Sequence, residues 1–423
     1  MKIIIIRNIE NFADSASPKP SKQNEKIVKS ILSDVKKNGD LAVKRYEKKF
    51  VGAVLGSLRL SKKEIDYAYS QVSKKEISAI KLAKSRLSKT ENTIKNLLKN
   101  SKINIDGIKI SKSFSPIESV GCYVPGGLAR YPSSAIMSVV PAKTVGVKRI
   151  VVTTPPNKKG KLDPLTIVAA DISGATEIYK IGGAQAIAAL SFGTKTIQKV
   201  DKIVGPGGSF VTLAKSQVSN TTSIDMLAGP TEIGIIADNS ADPNFVAADL
   251  ITQAEHSTET FCFLITTSLS FAKLVNQTLK KKIKKLKRSN IVKKSLSKNG
   301  FIAVCKSNSD VIKLANKLAP EHLQIIARNQ NKIAEKITTP GIVLIGKYTP
   351  ASASDYLLGS NHILPTNKFG RVRGSLSVLD FVKLGTKVES SKSSLRKLSK
   401  SLKILTTAEG LPNHYEAVRS RLE

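Results

Sequence analysis

Short apolar runs alternate with helical patterns over most of this chain. Residues 120–124, 149–154, 177–181 and 202–204 are compact apolar runs. Between them, residues 132–145, 164–173, 184–191 and 209–218 carry helical segments. Runs this short and this apolar predict strands covered on both faces, and strand–helix alternation predicts a parallel sheet. A second series follows Ile224. Strands are expected at residues 232–237, 260–266, 301–305, 323–327 and 341–345, with helices such as 242–255 and 309–318 between them. The first ~115 residues read as largely helical, because 24–50 and 61–100 place apolar positions three and four apart with charges between. Residues 390–403, rich in Ser and Lys, predict a solvated helix leading into a C-terminal tail. The pattern as a whole predicts two α/β domains.

Composition narrows the class. Hydrophobic residues make up 41%, enough for sizeable cores. Cys122, Cys262 and Cys305 are odd in number and widely spaced, which predicts small buried thiols in a reducing compartment rather than disulfides. The apolar run Ile3-Ile4-Ile5-Ile6 is too short for a signal-peptide core, and no stretch approaches the length of a membrane span. A cytoplasmic protein without membrane contact is expected. The net charge of +36 raises a nucleic-acid reading. However, the densest lysine run, residues 280–288, has Leu279, Ile283 and Leu286 at helical spacing, so its lysines form a solvated helix face. Aromatic residues are only 5% and are not interleaved with the basic ones, which argues against specific nucleic-acid binding.

The candidate chemistry is concentrated. Three glycine loops follow strands: Tyr123-Val124-Pro125-Gly126-Gly127, Ile181-Gly182-Gly183-Ala184-Gln185 and Gly205-Pro206-Gly207-Gly208-Ser209. Each alone reads as a tight turn; three in succession gather at one sheet edge, where open α/β folds bind ligands. The chain has only four histidines, each in a polar setting. Gln253 and His256 share a helix face and together offer two metal ligands, although a helix end also favours His through its dipole. Asp355 follows a strand and serves either a site or a helix cap. His362 contacts substrate or anchors its loop. Glu321-His322 is an adjacent acid and base. The segment Ala408-Glu409-Gly410-Leu411-Pro412-Asn413-His414 lies near the chain end, where disorder is the default, yet its residues suit a site, including one on a partner subunit.

These residues together resemble the histidinol dehydrogenase family. The strongest block is Ile224-Asp225-Met226-Leu227-Ala228-Gly229-Pro230-Thr231-Glu232, continued by Ala248-Asp249-Leu250 and Gln253-Ala254-Glu255-His256. The resemblance runs from about residue 24 to residue 414. It implies an enzyme that oxidises L-histidinol to L-histidine through the aldehyde, with zinc and NAD⁺. By resemblance, Gln253, His256, Asp355 and His414 are the zinc ligands and Glu321 and His322 the acid–base pair. Substrate contacts are Thr231, His322 and Glu409, with the ligand residues nearby. Tyr123, Gln185 and the position of Gly208 contact NAD⁺. The family has Asn at that last position and Ser where this chain has Thr231. The family also implies an intertwined homodimer in which the tail completes the neighbour's site. The expected architecture is two incomplete Rossmann-like parallel-sheet domains with small N- and C-terminal extensions. The expected division is residues 1–18 as an N-terminal segment; 19–119 with 232–372 as one domain; 120–231 as the NAD-binding domain; and 373–423 as the dimerisation tail. The alternatives are a dehydrogenase of the same scaffold acting on another small alcohol, and a basic RNA-associated protein.

Overall fold

The computed structural model describes residues 1–16, 24–127 and 130–423, and these form three sheets. The five-stranded sheet takes the order Glu177–Lys180, Arg149–Thr154, Ser119–Tyr123, Lys202–Val204, Ser223–Ile224, all parallel. The six-stranded sheet takes the order Lys2–Ile5, Phe301–Val304, Phe261–Thr266, Glu232–Ala237, His322–Ile326, Ile342–Ile345, again all parallel. The expected strands fall within a residue or two of these bounds. The reason is physical: a strand covered by helices on both faces must be apolar throughout, and Phe261–Thr266 and Glu232–Ala237 are buried at every position.

The N-terminal helices differ from the expected division. Helix Glu25–Val51 packs Val28, Ile31, Val35 and Val43 onto one side of the five-stranded sheet, in a core with Tyr179, Ile187 and Leu190. Helices Lys62–Ser70 and Lys74–Asn96 pack Ala68, Ile80 and Leu87 onto the other side, with Val120, Ile150 and Met137. The connection between them is tied to the edge strand by Leu60 N–H to Ile178 O at 2.9 Å and Lys180 N–H to Leu58 O at 2.8 Å. Residues 25–96 therefore pack on the 119–224 sheet, not on residues 232–372. The proposed boundary at 18/19 lies outside the described residues. Residues 1–16 are no separate segment either: Lys2–Ile5 is an edge strand in register with Phe301–Val304, and Phe12 sits edge-on to Phe301. Residues 101–116, most of them within the stretch read as largely helical, instead form a hairpin of Ser101–Ile105 and Ile108–Pro116. Val382–Glu389 adds to it as a third antiparallel strand, and helices Lys392–Ala408 and Pro412–Arg419 follow, packed on each other.

One buried carboxyl gives a stability prediction. Glu91, on the helix Lys74–Asn96, is 2% exposed and accepts the Val378 N–H at 2.8 Å. Burial pushes its carboxyl up from the ordinary 4.5 to about 7 against the pull of that N–H, and Asp380 adds like charge. The folded state thus favours the neutral acid. Below pH 4.5 the group is protonated folded or unfolded; from there to about pH 7 the unfolded chain ionises first and stability falls. Glu91→Gln keeps the acceptor without the charge. It is expected to stabilise the protein by roughly 2–3 kcal/mol at pH 8 and by nothing at pH 4. Denaturant melts at both pH values check this; an equal effect at the two would refute it.

Candidate functional site

The cleft lies between the two parallel sheets, with a volume of about 330 Å³. One wall is the carboxyl edge of the five-stranded sheet, where the loop 205–208 follows strand Lys202–Val204. The opposite wall is the amino edge of the six-stranded sheet. Thr231 precedes strand Glu232–Ala237, and Glu321 precedes strand His322–Ile326, paired as His322 with Ile233. The helix Pro243–Ala254 follows the first of these strands and returns antiparallel to it, so its end brings Gln253 and His256 back to the same edge. Helix entry is set locally: Pro243 occupies the first turn and the Asp242 carboxylate accepts the Asn244 N–H at 2.7 Å. Asp355 was expected beyond a carboxyl edge. It instead follows the short helix Ala351–Ser354 and meets the amino edge beside His322.

At the centre is a reciprocal pair of carboxyl groups. Glu321 Oε2 accepts the Thr231 hydroxyl at 2.6 Å and the Glu232 N–H at 2.9 Å. Glu232 Oε2 accepts the Glu321 N–H at 3.1 Å, and Glu232 Oε1 accepts the Asn367 N–H at 3.0 Å. Burial pushes the Glu232 carboxyl up to about 8 against its backbone donors, and the Glu321 charge adds to the rise. Glu232 was read from the sequence only as the start of a strand; its place directly after Thr231 was the available signal. Gln253 Nε2 donates to the Thr231 hydroxyl at 2.6 Å, extending the network to the helix end.

His322 is buried and fixed on both sides. Its Nδ1 faces Glu232 O at 3.2 Å, and its Nε2 faces Asp355 Oδ1 at 3.3 Å. The carbonyl can only accept, so a neutral imidazole carries its proton on Nδ1 and leaves Nε2 as the base. Burial, the largest influence, opposes charge on the ring. The Glu321 carboxylate, 3.7 Å away, and Asp355 outweigh it and hold the imidazole up at about 10. Burial works against the Asp355 carboxylate too, but the bond to His322 keeps it below its usual range. His362 places Nδ1 at 2.8 Å from Asp355 O and Nε2 at 3.3 Å from Ser134 Oγ. Both ring nitrogens are engaged, so it anchors this loop against the five-stranded domain. The thiols take no part: all three are buried, and burial pushes each upward.

Three of the four expected zinc donors, Gln253, His256 and Asp355, line this one cleft. His414 does not. It and Glu409 are exposed on the C-terminal helices, outside the cleft. Among the described residues no three His, Cys, Asp or Glu side chains come together closely enough to hold a metal. The donors present suit zinc in kind, but the set is incomplete within one chain.

The expected cofactor residues divide. Gly208 lines the cleft as the residue before helix Ser209–Val218. Tyr123 and Gln185 come together elsewhere, in a buried cluster off the cleft lining. Gln185 Nε2 and the Gly182 N–H both donate to Glu47 Oε1 at 2.8 Å, and the Gly183 N–H donates to the Tyr123 hydroxyl at 3.1 Å. Burial raises the Glu47 carboxyl, against these two donors. The expected gathering of the three glycine loops at one edge is seen, since each follows the carboxyl end of a strand in this sheet.

With this geometry in hand, comparison with known proteins is decisive. Residues 15–422 match the family model described as histidinol dehydrogenase. The chain belongs to the histidinol dehydrogenase family. It is 41% identical over 404 residues to the histidinol dehydrogenase of Oceanobacillus iheyensis, covering 95% of this chain and 94% of that one. It is likewise 41% identical over 420 residues to that of Methanocaldococcus jannaschii, covering 99% and 95%. The crystal structure of histidinol dehydrogenase from Elizabethkingia anophelis superposes with a TM-score of 0.93 at 35% identity, covering 100% of this chain and 98% of that one. The family name implies histidinol as substrate and a place in histidine biosynthesis. Among the described residues, no helix is long and apolar enough to cross a membrane.

Gly208 is the position at which the histidinol dehydrogenase resemblance implies Asn. It caps helix Ser209–Val218 without a side chain, its φ of −68° suits any residue, and a Cβ there meets nothing within 4 Å. Gly208→Asn is therefore expected to be accommodated and to stabilise the helix end by about 0.3 kcal/mol, read as a small rise in Tm. A fall in Tm would show that the loop cannot take a side chain.

Proposed function

We propose that this protein oxidises the primary alcohol of L-histidinol to the carboxylate of L-histidine in two steps, each passing a hydride to NAD⁺. The observation that carries the reading is the buried cluster Thr231–Glu321–His322–Asp355, set in a cleft between a glycine loop and a set of metal donors. Substrate lies between the two sheets with its hydroxyl at His322 Nε2. That nitrogen takes the hydroxyl proton as the carbon's hydride leaves, giving the aldehyde. Glu321, held by the Thr231 hydroxyl, then removes a proton from the water that adds to the aldehyde carbon. The hydrate loses a second hydride to a second NAD⁺ and a hydroxyl proton to His322 Nε2, which has by then passed the first proton to solvent, and the acid remains.

Gln253, His256, Asp355 and a His414 from a second copy would hold zinc, which would supply a fixed positive charge for the substrate's nitrogens. With Asp355 so engaged, its support for charge on His322 would fall, leaving Nε2 of that imidazole to act as the proton acceptor. A homodimer with exchanged tails follows from the same reading. Helix Lys392–Ala408 leaves Leu398, Ile404 and Leu405 exposed, and Leu411 beyond it is also uncovered. Such an apolar face suits burial against a second chain.

The test is NADH formation by purified protein with zinc and L-histidinol. About two NADH per histidinol consumed are expected, with activity lost to a chelator and restored by zinc. Turnover of other small alcohols but not histidinol would keep the scaffold and replace the substrate.

A further inference from the structure

We propose that the buried Lys215–Asp225 ion pair is a cofactor-positioning device, clamping Gly205 from both sides and so fixing where the loop 205–208 meets NAD⁺. The inference rests on the reading of this cleft as an NAD⁺ site.

Both side chains are essentially out of water, at 2% and 0% exposure, and they pair directly. Lys215 Nζ also donates to Gly205 O at 3.0 Å. Asp225 Oδ2 accepts the Gly205 N–H at 2.8 Å, and its Oδ1 accepts the Met226 N–H at 2.6 Å. The residue that opens the loop thus has its donor and its acceptor taken by the two members of one ion pair. Lys215 lies on the helix that leaves the loop, and Asp225 follows the neighbouring strand Ser223–Ile224. The pair therefore joins loop, helix and strand end. The far side of Gly205 is closed by sterics: its φ is +111°, and a Cβ there would lie 2.1 Å from Tyr123 O. Behind Asp225, the Arg373 guanidinium donates to the Asp225 carbonyl and holds Asp380 through Nη2 at 2.9 and 3.0 Å.

An ion pair this buried is poorly explained as a stabilising feature. Desolvating two charges costs about as much as their attraction returns, and apolar replacement of both is often neutral. What the pair does supply is direction, since each end fixes a different polar atom of the same glycine. Beyond Gly205, the residues Pro206, Gly207 and Gly208 line the cleft. A shift there displaces a bound dinucleotide without touching the Glu321–His322 machinery.

The test uses the full-length zinc-loaded enzyme and the double variant Lys215→Met/Asp225→Asn, which removes both charges together and strands neither. Its Tm is expected to stay near wild type. The KM for NAD⁺ is expected to rise on the order of tenfold or more while the KM for histidinol holds. Hydrogen exchange across residues 205–215 is expected to accelerate, because the Gly205 N–H loses its carboxylate partner. The milder double variant Lys215→Gln/Asp225→Asn, which keeps a polar side chain at each position and strands no charge, should show the same changes, smaller, and stands in if the first does not fold. A folded variant with unchanged NAD⁺ KM and unchanged exchange overturns the proposal. If wild type fails to turn over with NAD⁺, the functional reading fails, and exchange alone then decides the clamp: unchanged protection overturns it and lost protection retains it.

Discussion

Replacing His322 with Gln is expected to lower kcat for histidinol oxidation by on the order of 10²–10⁴-fold, and Glu321→Gln to do the same. The two losses have different origins. Nε2 is the nitrogen that His322 presents to Asp355 and the cleft, because its Nδ1 faces the Glu232 carbonyl. A glutamine there fills much of the same volume but takes up no proton at neutral pH. At Glu321, the amide oxygen of glutamine can still accept the Thr231 hydroxyl and the Glu232 N–H, so the local network survives while the base is gone. Removing the Glu321 charge also relieves Glu232, whose raised carboxyl owes part of its shift to that neighbour. Glu321→Gln is therefore expected to fold with a Tm near wild type, the relief of Glu232 offsetting the charge support withdrawn from His322. Steady-state kinetics beside thermal melts check both variants. Near-normal kcat in either would remove that residue from the acid–base role, and a large fall in Tm for Glu321→Gln would contradict the account of its surroundings.

Much of this architecture was legible because burial writes itself into sequence. Parallel strands covered by helices are apolar at every position, so Arg149–Thr154 and Phe261–Thr266 stood out as runs. The hairpin at 101–116 did not. Ser101–Ile105 is exposed along its whole length, and its sequence, Ser-Lys-Ile-Asn-Ile, carries no buried face to reveal it. Which sheet the N-terminal helices cover was equally hidden: an amphipathic stripe such as Val28, Ile31 and Val35 says that a helix packs, not against what. At the site, local motifs identified Glu321, His322, Gln253 and Asp355, which the fold brings together. Their position at an amino edge was not readable from strand order. It arises because the helix after strand Glu232–Ala237 carries Gln253 back to the strand's start. Glu232 and Lys215 escaped notice for a related reason. A charged residue inside an apolar run or a helix declares nothing until its partner, distant in sequence, is placed against it.

Mixing two inactive variants is expected to restore activity. The core of the cleft is built by one chain, but Glu409 and His414 stay exposed on helices that do not reach it in that same chain. If a second copy supplies them, a core defect and a tail defect can sit in different chains. Glu321→Gln carries a sound tail, and His414→Ala carries a sound core; each alone makes only defective sites. In a symmetric dimer formed by unfolding and refolding an equal mixture, about half the dimers pair one of each. Every such dimer has one site with both parts sound and one with neither, so recovery approaches roughly a quarter of wild-type activity. A tail serving its own chain would give no recovery at any mixing ratio. The parent variants test the metal set: Glu321→Gln keeps all four donors and should hold zinc like wild type, whereas His414→Ala should hold less zinc per chain if His414 completes the donors Gln253, His256 and Asp355 across the interface. Recovery on mixing together with wild-type zinc in the His414→Ala parent would leave the exchanged tail in place and move His414 from the metal to the substrate.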